Sequence, residues 1–141
     1  LSSEDLDAIL EAARWTGSSK NRQDWSFVVV TDHDRLQGLA ECGDFTQPVR
    51  DSAVTIVLVR EPGGNDFDLG RAAQNMMLAA HSMGLGSLWV GFASPLGQDP
   101  ETRRELGVPE DHTLQAQLVF GHPAKDLGPT PRKEPVVLKW I

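Results

Sequence analysis

Residues 67–83 carry Leu69, Ala72, Ala73, Met76, Met77, Ala80 and Met83 on one broad face at helical spacing, and Gly84 and Gly86 end the run. So wide an apolar face is a surface that a monomer of this size would struggle to bury. Phe27-Val28-Val29-Val30 and residues 54–59 are short apolar, β-branched runs, the second stopped by Pro62-Gly63-Gly64. After the helix come a third run, residues 87–92, and a fourth, residues 114–120, which alternates at first and is then continuously apolar. Three shorter helices fit between them. Residues 3–15 are amphipathic, with Ser2 as cap and Asp5 three positions on. Residues 32–41 place Leu36, Leu39 and Ala40 inward before Gly43, and a charged helix over 100–106 closes at Gly107. Helices and strands thus alternate along the chain, and its length allows one domain over residues 1–141.

The totals agree with one soluble core. The chain has 141 residues, 40% of them hydrophobic and 23% charged. Twenty acidic against thirteen basic side chains, net −7, exclude the basic stripe of a nucleic-acid surface. No apolar run approaches the ~20 residues of a membrane span. Cys42, the single cysteine, cannot form an internal disulfide and has acidic neighbours in Glu41 and Asp44, so it reads as a bystander thiol in a reducing, cytoplasmic setting.

Beyond His122-Pro123 the composition changes. Residues 123–135 hold four prolines and no helical period, so they should run as an extended arm, and residues 136–141 regain strand character. An apolar ending on such an arm needs a surface to land on.

For chemistry, the chain has no nucleophile elbow with a Ser/His/Asp order, no Cys/His metal spacing and no Gly-rich phosphate loop. His33, His81, His112 and His122 fall in separate elements, where a turn or solvent position is the plain reading. Three other stretches stand out, and each has a plainer alternative. Ser18, Ser19, Asn21 and Gln23 gather before a buried strand, with Trp25 beside them; such groups suit a heterocycle of alternating donors and acceptors, or they simply form a turn. Trp89-Val90-Gly91 ends a strand on a glycine, which permits close approach by something flat, or merely closes a core strand. Arg132-Lys133 on the arm could hold a phosphate, or be a solvated pair.

Their order along the chain carries more than any one of them. Residues 16–30, Thr-Gly-Ser-Ser-Lys-Asn-Arg-Gln-Asp-Trp-Ser-Phe-Val-Val-Val, resemble the signature loop of the nitroreductase family: Pro-Ser, two positions, Asn, one position, Gln-Pro-Trp, then an apolar strand. The run from Asp68 to Ala80 with its Gly84-Leu85-Gly86-Ser87 exit looks like that family's long central helix. Leu106-Gly107-Val108-Pro109 and Phe120-Gly121-His122-Pro123-Ala124 are similar to its closing portion.

The resemblance implies an α+β fold with a central mixed sheet flanked by helices. It implies an intertwined homodimer joined through the long helix, each arm (residues 123–141) crossing to the partner's sheet. It implies FMN at the dimer interface, with NAD(P)H as reductant and a nitroaromatic, quinone or similar small molecule as acceptor. Ser18, Ser19 and Asn21 would contact the flavin, with Gln23 and Trp25 shaping the loop. Trp89, Val90 and Gly91 would line the ring, the last two through backbone groups, and Arg132 with Lys133 would hold the phosphate. No side chain is assigned as a catalytic acid or base, because hydride transfer through a flavin needs orientation and electrostatic support.

Two positions depart from the family pattern: Gly17 and Asp24 stand where proline is usual, the first loosening the loop and the second bringing negative charge near an anionic cofactor. The chain starts at Leu1 inside the first helix, without the family's amino-terminal Arg-Ser-x-Arg phosphate motif. That departure keeps two other readings open, a non-catalytic member that sequesters flavin or has lost it, and a flavin-dependent biosynthetic dehydrogenase.

Overall fold

The computed structural model describes residues 1–41, 45–91, 99–126 and 128–141. Cys42, Gly43 and Phe92, which enter the expectations above, lie outside the described residues.

Helix α1 (Ser3–Arg14) starts as the sequence predicts: Ser2 Oγ accepts from the Asp5 N–H, and the Asp5 carboxylate accepts from the Ser2 N–H. Strand β1 (Trp25–Val30) follows, then α2 (His33–Ala40), capped by Asp32. A four-residue helix α3 (Gln47–Arg50) precedes β2 (Val54–Arg60). The long helix α4 (Asp66–Ser82) leads to β3 (Gly86–Gly91), and α5 (Pro100–Leu106) to β4 (Thr113–Gly121). Among the described residues no helix is long and apolar enough to cross a membrane.

The four strands form one sheet in the order β1-β2-β4-β3. Every described pairing is antiparallel. This corrects the mixed sheet implied by the resemblance at the level of one chain, since a parallel neighbour needs a further strand. Residues 136–141, expected to regain strand character, supply none within their own chain. A strand exists through its ladder, and here this apolar ending has no ladder and stands exposed, from Val136 to Ile141.

Period-two alternation divides the core between the sheet's two faces. On one face Val54, Ile56 and Leu58 of β2 and Ala116, Leu118 and Phe120 of β4 meet Ile9 and Ala13 of α1 and the Leu69–Ala80 stripe of α4, which corrects the expectation that one chain would struggle to bury that stripe: the sheet and α1 cover it. On the other, Val57, Val59, Val90 and Val119 meet Leu36 and Leu39 of α2, Val49 of α3 and Val108. Strand β2 is buried on both faces, which is why it reads as an unbroken apolar run. The register shifts between Leu58, opposite Ala116, and Val59, opposite Leu114. This β-bulge leaves Gln115 unpaired and turns Leu114 into the second core, so β4 alternates only at its start.

Candidate functional site

The loop before β1 is held in an expensive conformation. Lys20, Asn21 and Gln23 all have left-handed backbones, with φ of 55°, 54° and 55°. For residues with a Cβ each costs about 1–2 kcal/mol, so the surroundings have to impose them. Several bonds do. The Ser18 Oγ accepts from the Gln23 N–H at 2.9 Å, and the Asn21 N–H donates to the Ser18 carbonyl at 3.0 Å, closing a single 3-10 turn over Ser19–Asn21. The Ser19 N–H donates to Asp68 Oδ2 at 3.0 Å, and Arg22 donates to the Gly63 carbonyl at 2.8 Å. Just upstream, buried Thr16 accepts from the Asn75 amide of α4 at 2.8 Å.

Gly64 makes the last of these approaches possible. A Cβ there would lie 2.6 Å from the Asp24 carbonyl oxygen, so only glycine lets the β2–α4 turn come up against the loop. Asp24 itself corrects an expectation. Its Oδ2 sits 2.7 Å from Arg22 Nε, so its charge is compensated locally rather than left facing an anionic ligand.

Beside the exposed Lys20, the loop presents neutral groups that are unengaged. Neither the Ser19 hydroxyl nor the Asn21 side-chain amide has a hydrogen-bond partner among the described residues, and both residues are exposed. Gln23 uses only its Nε2, on the Asn21 carbonyl at 3.3 Å. Ser18 differs from expectation in spending its hydroxyl inside the loop.

The second stretch ends β3. Val90 turns its side chain into the core, while Trp89 remains 41% exposed. Gly91 is exposed, with no atom of the described residues within 4 Å of where a Cβ would stand, a backbone that among those residues is open to a planar group. The antiparallel order places the start of β1 and the end of β3 at the same end of the sheet but at opposite edges. Three strand spacings separate them, about 14 Å.

The third pair is not brought to either. Arg132 and Lys133 stand exposed on the arm, and the Arg132 guanidinium donates only to the carbonyls of Thr130 and Pro131, at 3.3 and 3.2 Å. Two residues missed by pattern reading belong beside the loop. Asp68 holds Ser19, and Arg71, half exposed, lies over the Phe67 ring with Nη2 3.5 Å from a Cβ built on Gly17. Asp68 and Arg71 are legible only as the acidic start and a polar face of a helix.

Hydroxyls, amides and an open glycine backbone suit the edge of a flavin ring, which offers alternating donors and acceptors, and the Arg132-Lys133 pair suits its phosphate. The donor set therefore fits FMN in kind, divided over three surfaces.

The sequence model of the Nitroreductase family matches residues 1–53 and 45–122. A protein of Archaeoglobus fulgidus, named as an NADH dehydrogenase/NAD(P)H nitroreductase, is 31% identical over 130 residues, covering 87% of this chain and 75% of its own. An FMN-dependent nitroreductase of Clostridium difficile superposes with a TM-score of 0.80 at 29% identity, covering 89% of this chain and 79% of its own. A nitroreductase of Bacteroides fragilis with bound FMN superposes with a TM-score of 0.73 at 25% identity, over 98% of this chain and 85% of its own.

Proposed function

Because the chain belongs to the nitroreductase family, we propose that it is an FMN-dependent oxidoreductase carrying electrons from NAD(P)H to a nitroaromatic, quinone or similar acceptor, with the flavin at the seam between two copies of the chain. The observation that carries this reading is the pairing of an open Gly91 backbone with a loop of unengaged hydroxyl and amide groups at one end of the sheet.

Their separation of about 14 Å argues for two chains at each site, because one flat ring about 10 Å long does not bridge both edges of a single sheet. A second copy would bring its own loop to the Gly91 of the first. The arm supports the same arrangement. Val136, Leu138, Trp140 and Ile141 bury nothing in their own chain. The outer edge of β1 has free ladder groups, and beside it runs a groove of ≈380 Å³ lined by Val28, Val30, Leu39, Thr102 and Leu106. Residues 136–141 of the second copy are the proposed occupant, and Arg132 and Lys133 would travel with them toward the phosphate.

When bound, FMN would supply the hydride chemistry that links NAD(P)H to the acceptor. The chain's own part is binding and orientation. Ser19 and Asn21 would hydrogen-bond the ring's polar edge, the Gly91 backbone would let the ring lie close to β3, and Trp89 would cover apolar surface beside it. The left-handed turn, already fixed, would lose little further freedom on binding.

The test is an absorbance scan of the purified protein reconstituted with FMN, before and after NAD(P)H and then a quinone. Bound flavin should bleach with NAD(P)H and recover with the acceptor. A protein that binds FMN yet never bleaches would leave a flavin-holding scaffold, and one that binds no FMN would overturn the reading.

A further inference from the structure

Asp68 is the one charged residue among the described ones that is classed with the core, at 8% exposure. An acid in the first turn of a helix ordinarily faces water near its own helix's N–H groups. Asp68 faces the loop instead. Its Oδ2 accepts from the Ser19 N–H at 3.0 Å and from the Asn65 Nδ2 at 2.9 Å, while Arg71 Nη1 stands 3.5 Å from Oδ1. Asn65, the cap of α4, fixes the carboxylate's own backbone by accepting from the Asp68 N–H at 2.8 Å. The chain thus uses one buried side chain to tie α4, packed against the sheet, to a turn 49 positions earlier.

We propose that Asp68 is a positioning residue for the cofactor, which sets the Ser19–Asn21 turn so that the Ser19 hydroxyl and the Asn21 amide meet the flavin ring. The assignment rests on the flavin reading above. Ser19 is the point where the argument closes, because its N–H is taken by Asp68 and the next two residues are the left-handed ones. Without that tether the first half of the turn keeps only bonds internal to the loop, and the strained backbone is free to relax. The Ser19 N–H and the Asn65 amide hold the carboxyl below its ordinary range, so at neutral pH it acts purely as an acceptor. Arg71 offsets its charge, which would otherwise repel an anionic flavin.

A conservative variant separates the tether from the bulk of the side chain. Because Oδ2 accepts from both the Ser19 N–H and the Asn65 Nδ2, Asp68→Asn can keep both bonds through its amide oxygen, its NH2 turned toward the half-exposed Arg71, whereas Asp68→Ala loses them. Affinities for FMN and riboflavin would be read by fluorescence quenching for wild type, Asp68→Ala and Asp68→Asn, with thermal midpoints and the Ser19 amide resonance of the flavin-free chain. Losing the bond to Ser19 should weaken both flavins by about tenfold or more in Asp68→Ala, equally because the loop meets the ring rather than the phosphate. Asp68→Asn should recover most of the affinity and the Ser19 resonance together. Wild-type affinity in Asp68→Ala, or an Asp68→Asn chain that keeps the Ser19 resonance without the flavin affinity, would overturn the assignment while leaving the flavin reading intact. A wild-type chain that binds neither flavin would overturn both.

Discussion

Gln117 occupies the middle of β4, opposite Val57 on one side and Val90 on the other. Its side chain is fully buried, at 0% exposure, and neither Nε2 nor Oε1 has a partner among the described residues. An unpaired amide in such a place costs about 1–3 kcal/mol of desolvation. Gln117→Met keeps an unbranched chain of similar reach and removes the amide. Met is unbranched and somewhat bulkier than Gln, so fitting its different shape sets an opposing cost of about 0.5–1 kcal/mol. The expected net gain is therefore about 0.5–2 kcal/mol. Unfolding a domain of this size gains about 0.3 kcal/mol per kelvin, so the thermal midpoint should rise by about 2–7 °C. Urea unfolding of both proteins at one chain concentration and without flavin reads the difference, because association or ligand would shift it by mass action. A loss of 1 kcal/mol or more would refute the reasoning, since it would mean that the amide is hydrogen-bonded in the folded protein.

Four further outcomes follow from the same geometry. Asn21→Ala should weaken FMN by about 1–3 kcal/mol with little change in thermal midpoint, read by flavin fluorescence; unchanged affinity would return the loop to a simple turn. Arg132→Ala should weaken FMN about ten- to a hundredfold and riboflavin hardly at all, with Lys133→Ala doing less, and equal losses for both flavins would remove Arg132 from the phosphate. Light scattering at micromolar concentration should give twice the chain mass, whereas a stable monomer with its arm intact would sink the shared site. Stability should fall in acid. Hydrogen bonds from Arg14 and then Trp15 lower Glu11 from its ordinary 4.5 to about 2, and Asp5, Asp68 and Asp99 are also lowered. These depressed carboxyls contribute stability that is present above the unfolded-chain values and is lost as pH falls through the folded ones. Urea midpoints measured from pH 5 down to about 2 should therefore decline, and a flat profile there would contradict the assignment.

The helices and strands were legible because their causes are local. A cap such as Ser2 with Asp5, the stripe from Leu69 to Ala80, and the unbroken β2 run all act within a few positions of themselves. Helix α3 was not, since four residues containing Pro48 show no period. The bulge at Gln115 was visible only as a change from alternation to a continuous run. At the candidate site, the residue types of loop 18–23 and the open Gly91 could be read directly. Their relation could not.

By itself the sequence determined where the chain is helical or extended, apart from α3 and residues 136–141, which faces are apolar, and which polar groups stand in the family's order. Tertiary structure alone decided that β1 and β3 lie at opposite edges of an antiparallel sheet and that Asp68 reaches Ser19. The division has a physical cause. Burial patterns and caps depend on near neighbours, whose energies repeat from protein to protein. Strand order and the tie from Asp68 to Ser19 depend on groups far apart in the chain, such as Val30 with Thr55, Gly91 with Ala116 and Ser19 with Asp68, and those separations close only when the whole core packs.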